Sequence, residues 1–256
     1  MHRFFIDPQS LHGDLFHSDD EELVHQLSRV LKLRAGERIV LLDNTEHEYE
    51  VELTTIEKTQ VKGNVLQKTS KPDTSNQKPV HLFVPPLKNP SRWEWMVEKC
   101  AEIGVASFTP LITERTEVKK LRKLERLNRI IQEAAEQSGR TKLPAINAPV
   151  EFHAVIARSS EGATKQSHKV NLIATLCIPR DSSARLRLGR NDKKDYQQPE
   201  TSNQPTNLFL GPVGDFTPRE VEQSLAAGFL PLSLGSQVLR TETAAVVAAT
   251  LLVQHQ

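Results

Sequence analysis

Apolar residues in the first quarter of the chain recur with a helical period and then with a strand period. Leu23, Leu27, Val30 and Leu31 fall three and four apart, which predicts a helix over Asp19–Leu31. His25 and Arg29 lie one turn apart on it and share a face. Arg38–Leu42, His47–Leu53 and Val61–Leu66 read as strands, the middle one by alternation of polar and apolar residues. From Val80 the pattern changes. Short apolar runs at Val80–Val84, Ser107–Ile112, Asn171–Ile178, Asn207–Leu210 and Leu230–Leu234 alternate with helical stretches, the order expected of a largely parallel α/β domain.

The helical stretches carry their own punctuation. Ser91 and Glu94 have the spacing of a capping box, Trp93, Met96, Val97, Cys100 and Ala101 form a core stripe behind it, and Gly104 ends it. Lys119–Ser138 reads as a long amphipathic helix with Leu124, Leu127, Ile131, Ala134 and Ala135 inward. Its first turns carry Lys119, Lys120, Arg122, Lys123, Arg126 and Arg129, either a solvated face or a phosphate-binding patch. Thr217, Pro218 and Glu220 make a second N-terminal signature, and Val221, Leu225 and Phe229 cover one side of the helix that follows, ended by Gly228. Thr241–Val253 is the last helix.

Two polar stretches divide the chain. Residues 71–79, KPDTSNQKP, read as a linker between residues 1–70 and residues 80–256. Residues 180–206 have almost no bulky apolar residue and read as a surface insertion with a basic character.

Composition narrows the classes. Formal net charge is +1, so nucleic-acid binding would have to come from local patches rather than a global field. Two cysteines, Cys100 and Cys177, are too few for a disulfide framework or a cysteine metal site, which fits a reducing cytoplasm, and no metal is expected. No apolar run is long enough to span a bilayer, and no membrane role is expected.

The candidate chemistry lies in two glycine turns near the C-terminus. LFLGPVGDF (Leu208–Phe216) and LSLGSQVLRTETAA (Leu232–Ala245) each run from a buried strand through a glycine into a helix. Such turns let the backbone approach a ligand closely, and they predict a pocket lined by main-chain groups. No lysine–serine pair follows GPVGD, which argues against a Walker-type phosphate loop.

GPVGDFTPREVE and LGSQVLRTETA resemble the C-terminal signature of the SPOUT RNA methyltransferases, in particular the branch that methylates N3 of a uridine in 16S ribosomal RNA. That branch has GPEGGF and LGxRILRxETA, so Val213, Asp215 and Gln237 are departures. MHRFF, HQLSRVLKLRAGERIVLLD, EWMVEKCAEIGV, TERT and QSGRTKLP extend the resemblance over most of the chain. It implies an N-terminal PUA-like β-barrel, a C-terminal trefoil-knotted domain with a mostly parallel sheet, S-adenosyl-L-methionine as methyl donor, the 30S subunit or its 16S rRNA as partner, and a homodimer. An alternative is a SPOUT-fold RNA-binding or assembly factor with altered catalysis, motivated by the three departures.

By the same resemblance Leu176, Gly211, Pro212, Leu232, Leu234, Gly235, Val238, Leu239 and Thr243 would line the donor pocket. Arg240 would polarise the target base or hold its phosphate, and Glu242 would orient Arg240 or cap the last helix. Asp215 is a candidate replacement for the carboxylate lost at Val213. Arg3, His25, Arg29, Arg115 and Arg140 are candidate RNA contacts. Arg3 is equally readable as a local ion pair, and His25 and Arg29 as a solvated face. Arg115 is also readable as an active-site contact, and Arg140 as reaching a ligand or the last carbonyls of its helix.

Overall fold

The computed structural model describes residues 1–71, 79–121, 123–162, 170–175, 186–187, 205–235 and 237–254. Their contacts group into two compact units, one of Met1–Ser75 with Ala135–Leu143, the other of the remainder. The 71–79 linker expectation falls, from 72 to 78, outside the described residues.

The first unit is a six-stranded sheet of β1 (Arg3–Phe5), β2 (Leu11–His12), β3 (Leu15–Ser18), β4 (Arg38–Leu42), β5 (His47–Ile56) and β6 (Val61–Ser70), in the order β1-β4-β5-β6-β3-β2. β1 pairs with β4 in parallel, and the other pairs are antiparallel. Phe4, Phe16, Leu27, Ile39, Leu41, Val51 and Leu53 fill its core. Asp20 caps α1 (Glu21–His25), its carboxylate accepting from Leu23 N at 2.7 Å. The predicted helix then widens into a π-turn over Gln26–Val30, with Leu31 N bonded to Gln26 O. The wider turn shifts the periodic stripe, so Val30, expected inward, is 61% exposed.

Glu136 and the QSGRTKLP turn that follows it close this unit. Phe5 N donates to Glu136 Oε1 at 3.0 Å, Thr141 Oγ1 to the Lys71 carbonyl at 2.9 Å, and Leu143 N to Asn44 Oδ1 at 2.8 Å. Tyr49 OH donates to the buried Asp43 at 2.8 Å, with Thr45 N on the other carboxylate oxygen.

The second unit begins with β7 (Val80–Val84), α2 (Pro90–Ile103), β8 (Ser107–Ile112) and α3 (Leu124–Ser138), whose last residues group with the first unit. It continues with β9 (Ala145–Ile146), β10 (Val150–Glu151), α4 (Phe152–Gly162), β11 (Val170–Ala174) and β12 (Leu186–Arg187). It ends with β13 (Thr206–Leu210), α5 (Pro218–Ala226), β14 (Leu230–Ser233) and α6 (Thr241–Gln254). The sheet order is β10-β8-β7-β13-β11-β14-β12, with β9 also on β8, and every pair is parallel. Parallel pairing follows from the helical crossovers, and burial of both faces explains the nearly continuous apolar strands. The core packs Phe83 on Phe209 at 4.4 Å and Phe152 on Phe216 at 4.8 Å between ring centres.

Three sequence expectations change here. Asn89, not Ser91, caps α2; its side chain accepts from Ser91 N, with Pro90 at the first helical position. The helix expected from Lys119 starts at Leu124, with Lys123 in a left-handed conformation (φ 56°) and Leu124 51% exposed. Lysines at 119, 120 and 123 would oppose the positive end of the helix dipole, and the helix begins where Glu125 enters its first turn. The 180–206 insertion contains β12, paired with β14 at Leu186↔Leu232; its other residues lie outside the described ones except 205 and 206.

Candidate functional site

Parallel α/β sheets place ligands beyond the carboxyl ends of their strands. Here β13, β11 and β14 are neighbours, and the two glycine turns leave the ends of β13 and β14 on either side of Thr175, which follows β11. The first turn is closed by Asp215 N on the Pro212 carbonyl at 2.9 Å and anchored by Phe216, which is fully buried. Gly211 leaves no room for a side chain: a Cβ there would stand 2.7 Å from Asp215 Oδ1 and 3.1 Å from Phe216 N. The second turn passes Gly235 at φ 114°, with open space where its Cβ would be. Thr241, opening α6, donates its hydroxyl to the Gly211 carbonyl at 3.1 Å and ties the second turn back to the first.

Leu232 is fully buried beneath this arrangement, Pro212 is buried, and Leu234, Leu239 and Thr243 are half-buried. Val238 is 78% exposed, an apolar side chain beside open main chain. Leu176 lies outside the described residues. Arg240 is exposed and its carbonyl accepts from Ala244 N in the first turn of α6.

Glu242 lies in the first turn of α6. Its buried carboxylate faces Arg92 of α2, Nη1 to Oε1 at 3.6 Å. Asp215, the candidate replacement for the loop acid, has both carboxylate oxygens engaged at the turn. Oδ1 accepts from Phe216 N and Oδ2 from Thr175 Oγ1, both at 2.8 Å. Arg115, a candidate RNA contact, donates to the Gly214 carbonyl. The TERT turn that carries it is joined to α5 through Glu114 N on Glu220 Oε1 at 2.9 Å.

The remaining RNA candidates lie in the first unit. Arg3 makes the ion-pair reading true, with Nη1 3.2 Å from Glu48 Oε1. Arg140 is buried. His25 and Arg29 are exposed, and Arg29 borders an open surface hollow with Ser28, Ile56, Glu57 and Lys58. Of the basic run, Arg126 is engaged by Glu94 through two hydrogen bonds of 2.8 and 3.0 Å, which hold the Glu94 carboxyl below its usual range. Lys88 pairs with Glu117 at 2.5 Å. Burial pushes the Cys100 thiol up, which leaves it an unreactive core residue.

Four residues around the turns were missed in the sequence: Arg92, Thr175, Glu220 as a bridge, and Thr241. Thr175 and Thr241 had a readable signal, since each is the first polar residue beyond an apolar strand or at a helix start. Arg92 had none, because its partner is distant in the chain. Among the described residues no group of three or more His, Cys, Asp or Glu is placed to hold a metal, and no helix is long and apolar enough to cross a membrane.

Residues 74–253 match the RNA methyltransferase domain family and residues 20–66 the RNA methyltransferase PUA domain family. The ribosomal RNA small subunit methyltransferase E of Synechocystis is 34% identical over 229 residues, 88% of this chain and 68% of that protein. Its Bacillus subtilis namesake is 26% identical over 97% of this chain and 94% of that protein. Among solved structures, the Neisseria gonorrhoeae ribosomal RNA small subunit methyltransferase E bound to S-adenosyl methionine superposes with a TM-score of 0.76 and 26% identity, covering 97% of this chain and 95% of that one.

Proposed function

The chain belongs to the RNA methyltransferase family, and on that footing we propose that it methylates 16S ribosomal RNA of the small subunit at N3 of a uridine, with S-adenosylmethionine as donor. The observation that carries this reading is the pair of glycine turns at the carboxyl ends of adjacent parallel strands, joined by Thr241. The fit to the donor rests on the chain itself. Gly235 opens onto free space, and Leu234, Val238 and Leu239 supply apolar surface for the faces of an adenine.

When bound, the donor supplies a methyl group already activated by its sulfonium. The chain's work is then to orient, to exclude water and to favour the deprotonated form of uridine N3. Gly211, Pro212, Leu232, Leu234, Gly235, Val238, Leu239 and Thr243 hold the donor side. Arg240, exposed at the start of α6, faces the RNA side and stabilises negative charge spread onto the uracil carbonyls. A target base paired at N3 must leave its helix first. Exposed His25 and Arg29 of the PUA-like unit contribute RNA-backbone contacts. The active species is a homodimer, which sedimentation of the purified chain checks.

The test is mass spectrometry of 16S rRNA from a strain lacking this chain, together with calorimetry of the purified protein. Loss of the uridine N3-methyl signal and saturable S-adenosylmethionine binding are expected. An unchanged rRNA sinks the reading. RNA binding without donor binding would instead support the assembly-factor alternative, for which the departures at Val213, Asp215 and Gln237 are the specific motive.

A further inference from the structure

Asp215 is a non-glycine residue with a left-handed backbone, φ 64°, at a tight turn. Aspartate tolerates this conformation better than most residues, because its short polar chain can bond locally. Here the bonding also reaches a second strand. Oδ1 caps Phe216 N, while Oδ2 accepts the hydroxyl of Thr175, a buried residue that directly follows β11. Ala174 and Leu210 are paired across β11 and β13, so one carboxylate joins the two strand ends just where the first glycine turn departs. The same Oδ1 fills the space above Gly211. From the other side Arg115 Nη1 grips the turn by the carbonyl of Gly214 and, at 3.5 Å, that of Asp215.

We propose that Asp215 is a positioning residue: with Thr175 it latches the 211–216 turn to the end of β11 and so presets the main-chain surface that receives the methyl donor. This deepens the reading above and rests on it. A glycine at this position would give the same bend with no link to β11. The carboxylate therefore replaces backbone freedom with a fixed tether, and its effect falls on donor capture rather than on the methyl-transfer step.

Asp215→Gly, Thr175→Val, their double variant and Thr175→Ser are compared in the full-length chain. Thr175→Val is expected to weaken S-adenosylmethionine affinity about tenfold, as loss of one charge-assisted hydrogen bond does, and Asp215→Gly, which also removes the acceptor of Phe216 N, by at least as much, with the double variant no more than about twofold worse than Asp215→Gly. Donor KM rises accordingly, and kcat at saturating donor stays within about twofold of wild type, since only donor-state binding is lost. Thr175→Ser restores affinity. In donor-free protein the Phe216 amide exchanges faster in Asp215→Gly and Thr175→Val and at the wild-type rate in Thr175→Ser. Wild-type affinity in Thr175→Val, or additive effects in the double variant, overturns the latch alone. Failure of the wild-type chain to bind the donor overturns the functional reading beneath it.

Discussion

Arg92 and Glu242 meet at 3.6 Å between α2 and α6, and they differ in exposure: the arginine side chain is 48% accessible and the glutamate 11%. Such a pair is unequal to mutation. Removing the arginine strands a buried carboxylate, while removing the charge of the glutamate leaves an arginine that water can still solvate. Arg92→Ala is expected to lower stability by about 1–3 kcal/mol and Glu242→Gln by less than ~1 kcal/mol. Denaturant unfolding of both variants checks the order, and a reversed order would show that the pair does not hold α6 in place.

Gly211 tests the first turn. A methyl group there would meet Asp215 Oδ1 at 2.7 Å and backbone atoms at 3.1 Å. Gly211→Ala should destabilise by about 1–3 kcal/mol, as overpacked sites do. Adding Asp215→Gly should recover only part of this, because the backbone contacts remain. Thermal melts of the single and double variants measure both steps.

Arg240→Ala should lower methyl transfer by about 10²–10³-fold, the cost of losing one charge stabiliser in a reaction site. Its exposed position predicts donor affinity within about threefold of wild type by calorimetry, since apolar and main-chain groups carry that binding. Equal loss of binding and transfer would assign Arg240 to the donor instead.

Acid should loosen the first unit through Asp43. Burial raises its carboxyl, but hydrogen bonds from Thr45 and Tyr49 and the nearby His47 outweigh it, and the group sits below its ordinary range. A depressed carboxyl contributes stability that is complete above the ordinary carboxylate range and is lost as pH falls through the folded value. The Thr45 amide proton, bonded to Oδ1 at 2.9 Å, should report a titration midpoint below the ordinary range by NMR. A midpoint at or above that range would contradict the sign. Asp43→Asn should flatten the fall in melting temperature below about pH 4.

The sequence was most informative where one local rule decided the outcome. Thr217 and Glu220 form the reciprocal cap that their spacing implied, and Val80–Val84 and Ser107–Ile112 end where their apolar runs end. It was least informative where two distant residues decide. Glu242 pairs with Arg92, 150 positions away in the chain, a contact that no local spacing announces. Arg140 follows a helix-ending glycine, but its burial could not be read from that position. For the glycine turns, residue types indicated main-chain chemistry, but the bond from Thr241 to Gly211 that joins them needed coordinates.

Among the described residues, the outer strands of the parallel sheet are β9 and β10 on one side and β12 on the other, and each is two residues long. Along these described strands an incoming extended chain would find few unpaired peptide groups. The protein can therefore carry a sheet of strongly apolar strands while giving little template for fibrillar growth, and lengthening β12 by a few β-branched residues is the change that would forfeit this protection.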